Sequence, residues 1–402
     1  MNAAVRLKYL VEEVDERAGD RDLRMLSVSI HRGVVPREDI SDRPTRADDC
    51  SSYKVVRPGD LALNRMRAFQ GAVGLVEEVG MVSPDYTVLR SKDSSPAFLH
   101  HLFRSHWFVG EMVRRMRGIG SIDQGNVRTP RVNFEDLCEI LVDAPALPEQ
   151  KAVADFLDVE TARLDDLIAA LRQQAALVVE RFQALAEYAI WSRATSMPLS
   201  RRTDPRRPIM YGIVLPGPDV RPGGVLLVKG GDIAQGRLTP DQLCRTTAEI
   251  EFPFARARLR GGDVLVAIRG GIGDVSIVPH AIEGANITQD VARVAPYGVD
   301  AKWLAIALRT HTVRAEIERR TTGATIRGLN IWELKKISVP DSDPARQQED
   351  LNRLAGQSDL TRELRQTLER QQFLLQERKQ ALITAAVTGQ LDLARNIAEE
   401  AS

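Results

Sequence analysis

The chain has 402 residues, 43% of them hydrophobic and 27% charged, and its 55 basic residues balance 55 acidic ones. This is the composition of a folded protein with room for two or three ordinary cores, and it excludes a disordered or collagen-like chain. No stretch approaches the length of a membrane span, and the opening "MNAAVRLKYLVEEVDER" carries charges throughout, so a cytoplasmic protein is expected. Cys50, Cys138 and Cys244 stand far apart, without a CxxC pair or a histidine at ligand spacing. That argues against a zinc site or a disulfide framework and for buried structural thiols.

In chain order, "VRPGDLAL" reads as a Gly-Asp turn leading into a buried strand, and "AFLHHLFRSHWFVGEMVRRMRG" (97–118) as a helix ending in a basic turn and glycine. A polar loop and the short strand of "LCEILVDAP" follow. From Pro148, a good first helical residue, a stretch without glycine runs past residue 189. Its apolar positions 164, 168, 171, 175, 178, 182, 185 and 189 alternate steps of four and three, the seam of a coiled coil. The pattern then starts again: "LRGGDVLVAI" is a second Gly-Asp turn and strand, "AKWLAIALRTHTVRAEIERRTTG" (301–323) a second helix, and "LKKISVPD" a second short strand. Asp343 and Pro344 open a second long helix that keeps Leu354, Leu368, Leu375 and Leu382 in seven-residue register and ends near Gly389. Each long helix of about forty residues would span on the order of 60 Å at 1.5 Å per residue.

The two halves are an imperfect duplication. At an offset of 197 residues Asn133 meets Asn330, Leu137 meets Leu334, Gln150 meets Gln347, and the phrase "ERFQAL" (180–185) meets "ERKQAL" (377–382) without a gap. The predicted segments are therefore a block over 1–147, a helix over 148–192, a block over 193–343, a helix over 344–394 and a tail over 395–402. The fold class is α+β: two mixed α/β domains separated by two long helices, which pair as an antiparallel coiled coil about a pseudo-two-fold. The predicted seam comprises Leu164, Ile168, Leu171, Val178 and Leu185 on the first helix, and Leu354, Leu368, Leu375 and Leu382 on the second.

Catalytic and nucleotide motifs are missing from the sequence. There is no GxxxxGK[ST] loop, "GIG" at 118–120 and 271–273 lacks the rest of a dinucleotide fingerprint, and no methyltransferase signature occurs. Neighbouring carboxylates such as Asp165 and Asp166 diverge by about 100° on a helix, so they read as a solvated face rather than an acid–base pair. Lys plus Arg against Asp plus Glu stands at 21 to 22 over 1–147, 4 to 8 over 148–192, 22 to 16 over 193–343 and 8 to 9 over 344–402. Positive charge is thus concentrated in the second block, and 46 of the 55 basic residues are arginine, which forks onto phosphates and guanine edges. Candidate DNA-contacting residues recur at related places in both blocks: Arg65, Arg67, Gln70, Arg117, Gln124, Asn126 and Arg128 in the first, Arg269, Arg320, Thr325 and Arg327 in the second.

Several phrases together carry a family resemblance. "LSVSIHRGVVPRE", "YKVVRPGDLALNRMRAFQGAVG" and "VSPDYTVL" in the first half, "YGIVLPGPDV", "VKGGDIAQGRL" and "GLNIWELKKISVP" in the second, and "LPEQKAVADFLDVETARLDDLI" and "ERKQALITAAVTGQLD" in the helices resemble the specificity subunit of type I restriction-modification enzymes. The resemblance covers nearly the whole chain. It departs where the first helix ends in "YAIWSRATS" and the second in "AAVTGQLD".

The resemblance implies a non-catalytic protein, without cofactor or metal of its own, whose two target recognition domains each read one half of a bipartite site in double-stranded DNA. The helices would set the spacing and dock two copies of an adenine-N6 methyltransferase subunit, and restriction subunits would join them. Those partners would use S-adenosylmethionine, ATP and Mg. Two readers must meet one face of the duplex about one helical turn apart, roughly 34 Å, or a multiple of it. The alternatives are a coiled-coil adaptor that binds only proteins, and a recognition chain that itself contributes to restriction catalysis.

Overall fold

The computed structural model describes residues 4–30, 32–40, 50–115, 132–323 and 327–391. They form two compact units that do not follow the chain continuously: unit 1 comprises Met1–Arg172 and Arg370–Ser402, unit 2 Gln173–Glu369. No helix among the described residues is long and apolar enough to cross a membrane.

Unit 1 is built on an antiparallel sheet in the order β2 (Val11–Val14), β9 (Tyr86–Ser91), β6 (Leu61–Asn64), β7 (Val73–Leu75). Three antiparallel pairs flank it: β1 (Ala4–Arg6) with β10 (Leu141–Asp143), β3 (Leu26–Ser29) with β4 (Gly33–Pro36), and β5 (Lys54–Val56) with β8 (Gly80–Val82). Helices α1 (Pro96–Arg104), α2 (His106–Arg114) and α3 (Phe134–Cys138) complete the block, and α4 (Leu147–Trp191) leaves it. Leu61, Leu63 and Leu89 of the sheet share a core with Phe98, Leu99, Leu102 and Phe103 of α1.

Unit 2 repeats the plan, with the sheet order β12 (Met210–Tyr211), β18 (Val291–Val294), β15 (Val264–Ala267), β16 (Val275–Ile277), and β11 (Thr195–Pro198) pairing with β19 (Ser338–Asp341). A three-stranded sheet, β14 (Cys244–Thr246), β13 (Val225–Val228), β17 (Asn286–Ile287), stands where unit 1 has separate pairs. Helices α5 (Gly230–Ala234), α6 (Ala248–Glu251), α7 (Ala301–Arg309), α8 (His311–Arg320) and α9 (Ile331–Lys336) precede the long α10 (Pro344–Val387).

Each stretch expected as one helix after the sheet is two. The chain breaks at Ser105 and at Thr310, both extended residues. Ser105 accepts from Phe108 N–H at 3.1 Å and donates to Leu102 carbonyl at 2.7 Å, so one hydroxyl serves the end of α1 and the start of α2. Thr310 donates to Ala307 carbonyl at 2.5 Å and accepts from the Trp191 indole at 3.1 Å. The Arg-Ser-His and Arg-Thr-His triplets at these breaks are the duplication seen again at a shifted offset.

The Gly-Asp turns are structurally equivalent. Gly59 and Gly262 hold φ of 91° and 87°, which a side chain would disfavour. Asp60 accepts from Arg57 N–H at 2.9 Å and Asp263 from Arg260 N–H at 2.8 Å, so each buried carboxylate closes its own turn. A forked arginine neutralises each: Arg90 at 2.8 and 2.9 Å in unit 1, Arg207 at 2.7 and 2.6 Å in unit 2. On the equivalent strand of unit 2 Ala295 stands at the place of Arg90, and the buried Arg293 of that strand donates instead to the carbonyls of Arg256 and Pro208 at 2.8 and 2.9 Å.

Within unit 1 the long helices run antiparallel. Val153, Ala154 and Leu157 share a core with Ile383, Ala386 and Val387, and further along Lys379 reaches Asp165 at 2.6 Å. Within unit 2 Ala186 and Ala189 pack with Leu354, and Ile190 with Leu351. The helices stop at Trp191 and Val387, one residue apart at the 197-residue offset, despite their different ends; Gly389, with φ of 69°, stands just past the second.

The seam holds in part. Leu164, Ile168 and Leu354 are buried, and Leu171, Val178, Leu368, Leu375 and Leu382 are half-buried. Leu185 is 39% exposed, and Ala186 takes the inward position. An α-helix drifts about 20° per heptad from a strict seven-residue repeat, so three heptads beyond Leu164 the inward face has moved by about 60° towards the next residue. The three cysteines are half-buried rather than core residues, and all are free.

Candidate nucleic-acid interface

In unit 1, β6 runs out of the sheet at Asn64 and delivers Arg65. Val132 N–H donates to Arg65 carbonyl at 3.3 Å, and the Arg65 side chain donates back to Val132 carbonyl at 3.3 Å and to the Asn133 side chain. Arg65 is thus clamped to Val132 and Asn133, just before α3. Arg67 and Gln70 lie on the exposed side of the short turn Ala68–Gln70, which Gly71 closes at φ of 80°. Arg117, Gln124, Asn126 and Arg128 lie outside the described residues.

The same junction exists in unit 2. Leu329 N–H donates to Ile268 carbonyl at 2.8 Å, the counterpart of Val132 on Arg65. Beside it Arg269 pairs with Gly328 in an isolated bridge, and Thr322 and Gly328 exchange backbone hydrogen bonds at 3.1 and 2.9 Å. Arg269 is exposed, with Asp290 at 3.9 Å as a loose partner. Arg327 is likewise exposed, with Glu318 at 3.8 Å, while Thr325 lies outside the described residues.

Arg320 differs from these. Its guanidinium donates to Glu333 at 2.7 Å and Glu316 at 2.9 Å, and these hydrogen bonds raise its pKa above the ordinary value. Glu333 is held below the usual carboxylate range by Lys336 and then by Arg320. The side chain therefore ties the end of α8 to α9.

The unit 2 junction opens into a cleft of about 630 Å³, lined among others by Tyr211, Arg269, Gln289, Thr322 and Asn330. Arg and Gln bring forked donors suited to base edges, and Thr and backbone amides suit phosphates. Tyr211, Gln289 and Asn330 come from segments far apart in the chain. Among the described residues no group of three or more His, Cys, Asp or Glu side chains converges to hold a metal ion.

Fold and junctions define a class: a duplicated chain whose two α/β units repeat one sheet plan and one backbone junction, each packed with parts of two long helices. No protein-family model matches the chain. It is 28% identical over 243 residues to the type I restriction enzyme EcoBI specificity subunit of Escherichia coli, an alignment covering 54% of this chain and 51% of that one. The chain thus matches about half the length of this curated relative.

A chain from a structure described as the basis of complex assembly and conformational transition of the type I R-M system superposes with a TM-score of 0.68 at 18% identity, over 97% of this chain and 98% of that one. The HsdS subunit from Thermoanaerobacter tengcongensis gives a TM-score of 0.46 at 19% identity over 97% of each chain. The first of these establishes the shared fold. The resemblance to type I specificity subunits carried by the residues is met in the curated relative.

Proposed function

We propose that the chain is the DNA sequence-specificity subunit of a type I restriction-modification system, with no active site of its own. Each block reads one half of a bipartite target in double-stranded DNA. The long helices hold the readers apart and dock two methyltransferase subunits, and restriction subunits complete the assembly. S-adenosylmethionine, ATP and Mg serve those partners. The observation that carries this reading is the paired junction, Val132 on Arg65 and Leu329 on Ile268, where one backbone device recurs in two blocks of different sequence. Duplicated scaffolds with divergent loops suit a protein that must read two different half-sites at one fixed geometry.

Within this reading Arg67, Gln70, Arg269 and Arg327 face the DNA, together with the candidates at 117–128 and Thr325. Arg65 instead anchors Val132 and Asn133, and Arg320 ties α8 to α9. Exchanging residues 1–147 for those of another family member, followed by mapping of N6-methyladenine in cellular DNA, tests the assignment. One half of the methylated motif is expected to change and the other to stay; a change in both halves sinks the one-domain, one-half-site reading. A chain that only bridges proteins would leave the methylation map unaltered.

A further inference from the structure

Unit 1 contains a cleft of about 720 Å³ where β-block residues face the two long helices. That volume suits a small-molecule ligand. Lys379 and Arg172 reach it from the helices and Arg32 from the block, and Asp165 is the one acidic residue among those lining it. Arg104 adds a fourth cation. Its guanidinium donates to Ile30 carbonyl at 3.1 Å, makes no ion pair among the described residues, and is held below its ordinary pKa by burial. Lys379 is held by Asp165 at 2.6 Å and Arg32 lies 3.8 Å from Asp39, but Arg104 and Arg172 have no carboxylate partner among the described residues, so the cleft keeps an excess of positive charge that favours an arriving anion.

Two further groups narrow its identity. The Phe69 ring lines the cleft, and Gln380 Oε1, buried there, meets no hydrogen-bond donor. An acceptor of this kind cannot bond a phosphate oxygen, but it can take an amino or hydroxyl hydrogen.

The duplication supplies a built-in comparison. At the 197-residue offset Arg172 corresponds to Glu369, Gln376 to Val179 and Lys379 to Phe182, whereas the seam residues Leu171 and Leu368 agree. Phe182 packs beside Leu354 in unit 2, while Lys379 turns to the cleft. The one residue that breaks the phrase Glu-Arg-x-Gln-Ala-Leu is thus the one that distinguishes the two environments. Basic and amide residues stand in unit 1 where matched helices elsewhere carry apolar or acidic ones.

We propose that this cleft binds a nucleotide, its phosphate on Lys379, Arg172, Arg104 and Arg32 and its base against Phe69 and Gln380. The nucleotide belongs either to a DNA strand or to a free nucleoside triphosphate, and the chemistry is shared. The test uses the purified full chain with ATP by calorimetry and with a short labelled duplex by anisotropy across a salt series. Arg172→Gln and Lys379→Gln are compared with Arg365→Gln, an exposed arginine on the unit 2 part of α10.

A free nucleotide predicts ATP binding weakened by about tenfold in both cleft variants, the scale of one charge-assisted hydrogen bond. A strand predicts a fall of about 1 in the slope of log K against log salt for the duplex, because one phosphate is no longer neutralised. Either result supports the cleft. It is overturned if neither probe responds, or if Arg365→Gln has the same effect. Arg172 is exposed and its replacement leaves the core intact, so circular dichroism melting separates weakened binding from failed folding. The ATP arm reads independently of whether the chain recognises a bipartite site.

Discussion

Gln150 and Gln347, 197 residues apart, perform the same task on two different backbones. Gln150 accepts from Ser95 N–H at 2.8 Å and donates to Pro145 carbonyl at 2.9 Å; Gln347 accepts from Asp300 N–H at 2.8 Å and donates to Ser342 carbonyl at 2.7 Å. Both are buried, and each ties the start of a long helix to the N-cap of the helix that follows its sheet. Replacing either by Ala strands two backbone groups, at a cost of about 1–3 kcal/mol. Denaturant unfolding should show the larger loss for Gln150→Ala, because Ser95 is buried while the N–H of Asp300 is only partly so. Equal stability to the parent chain would contradict the shared role.

Arg269 and Arg320 should respond differently to the same truncation. Arg269→Ala is expected to weaken binding of the DNA target by about 1–3 kcal/mol and to relax preference at one base pair. Arg320→Ala should leave target preference intact and lower stability by up to about 1 kcal/mol, since its partners are carboxylates of the protein itself. Arg65→Ala should reduce both, because the side chain holds Val132 and Asn133 beside the end of β6. Anisotropy with matched and mismatched duplexes, alongside thermal melts, separates the three.

Acid should loosen unit 1 before carboxylates protonate. Burial lowers the His100 pKa from 6.5 to about 3, and the ring nitrogen Nδ1 accepts from Leu75 N–H at 3.2 Å, so the folded protein keeps this imidazole neutral. Burial also lowers neighbouring His101, against the opposing hydrogen bond to Asp158 at 2.7 Å. Between the two pKa values of His100 the unfolded chain binds more protons than the folded one. Stability is therefore full above about pH 6.5 and falls as pH drops through the window, by at most ~1.4 kcal/mol per pH unit for one histidine. His100→Asn keeps an acceptor without a titration, so its denaturation midpoint should fall less steeply with acid.

Gly212→Ala should distort the unit 2 cleft from behind. A Cβ at this position would lie 2.0 Å from Ile287 carbonyl, which already accepts from Ile213 N–H at 2.8 Å. Backbone must move, at a cost of about 1–3 kcal/mol or more, and adjacent Tyr211 moves with it. A melt unchanged from the parent would show that the strand yields without strain.

Sequence periodicity placed the starts of the long helices within a residue of Leu147 and Pro344, because propensity, start residues and the seam all agree there, whereas the second helix, expected to run to 394, ends at Val387 beside Gly389. It misplaced Leu185, since a seven-residue rule ignores the drift of a straight helix, and it merged α1 with α2, because Ser105 inside an apolar stretch looks like a solvent-facing residue. Offset matching paired Gln150 with Gln347 and Asn133 with Asn330, yet gave no role to either. Those roles depend on Ser95, Asp300 and Arg65, whose distance along the chain hides them from local patterns. Arg320 and Arg269 have the same chemistry on paper, and only the surrounding carboxylates separate them.

The interleaving of the units has a consequence for synthesis. Unit 2 is one continuous stretch, complete once Glu369 has emerged, whereas unit 1 needs Ile383, Ala386 and Val387 to close its core and Thr384 to accept from His106 N–H at 3.2 Å across 278 residues. Pairings of such long range are made late and carry the entropy of a large loop. On the ribosome the first block to be made is the last to be finished, and its uncovered apolar face is the surface a chaperone would meet.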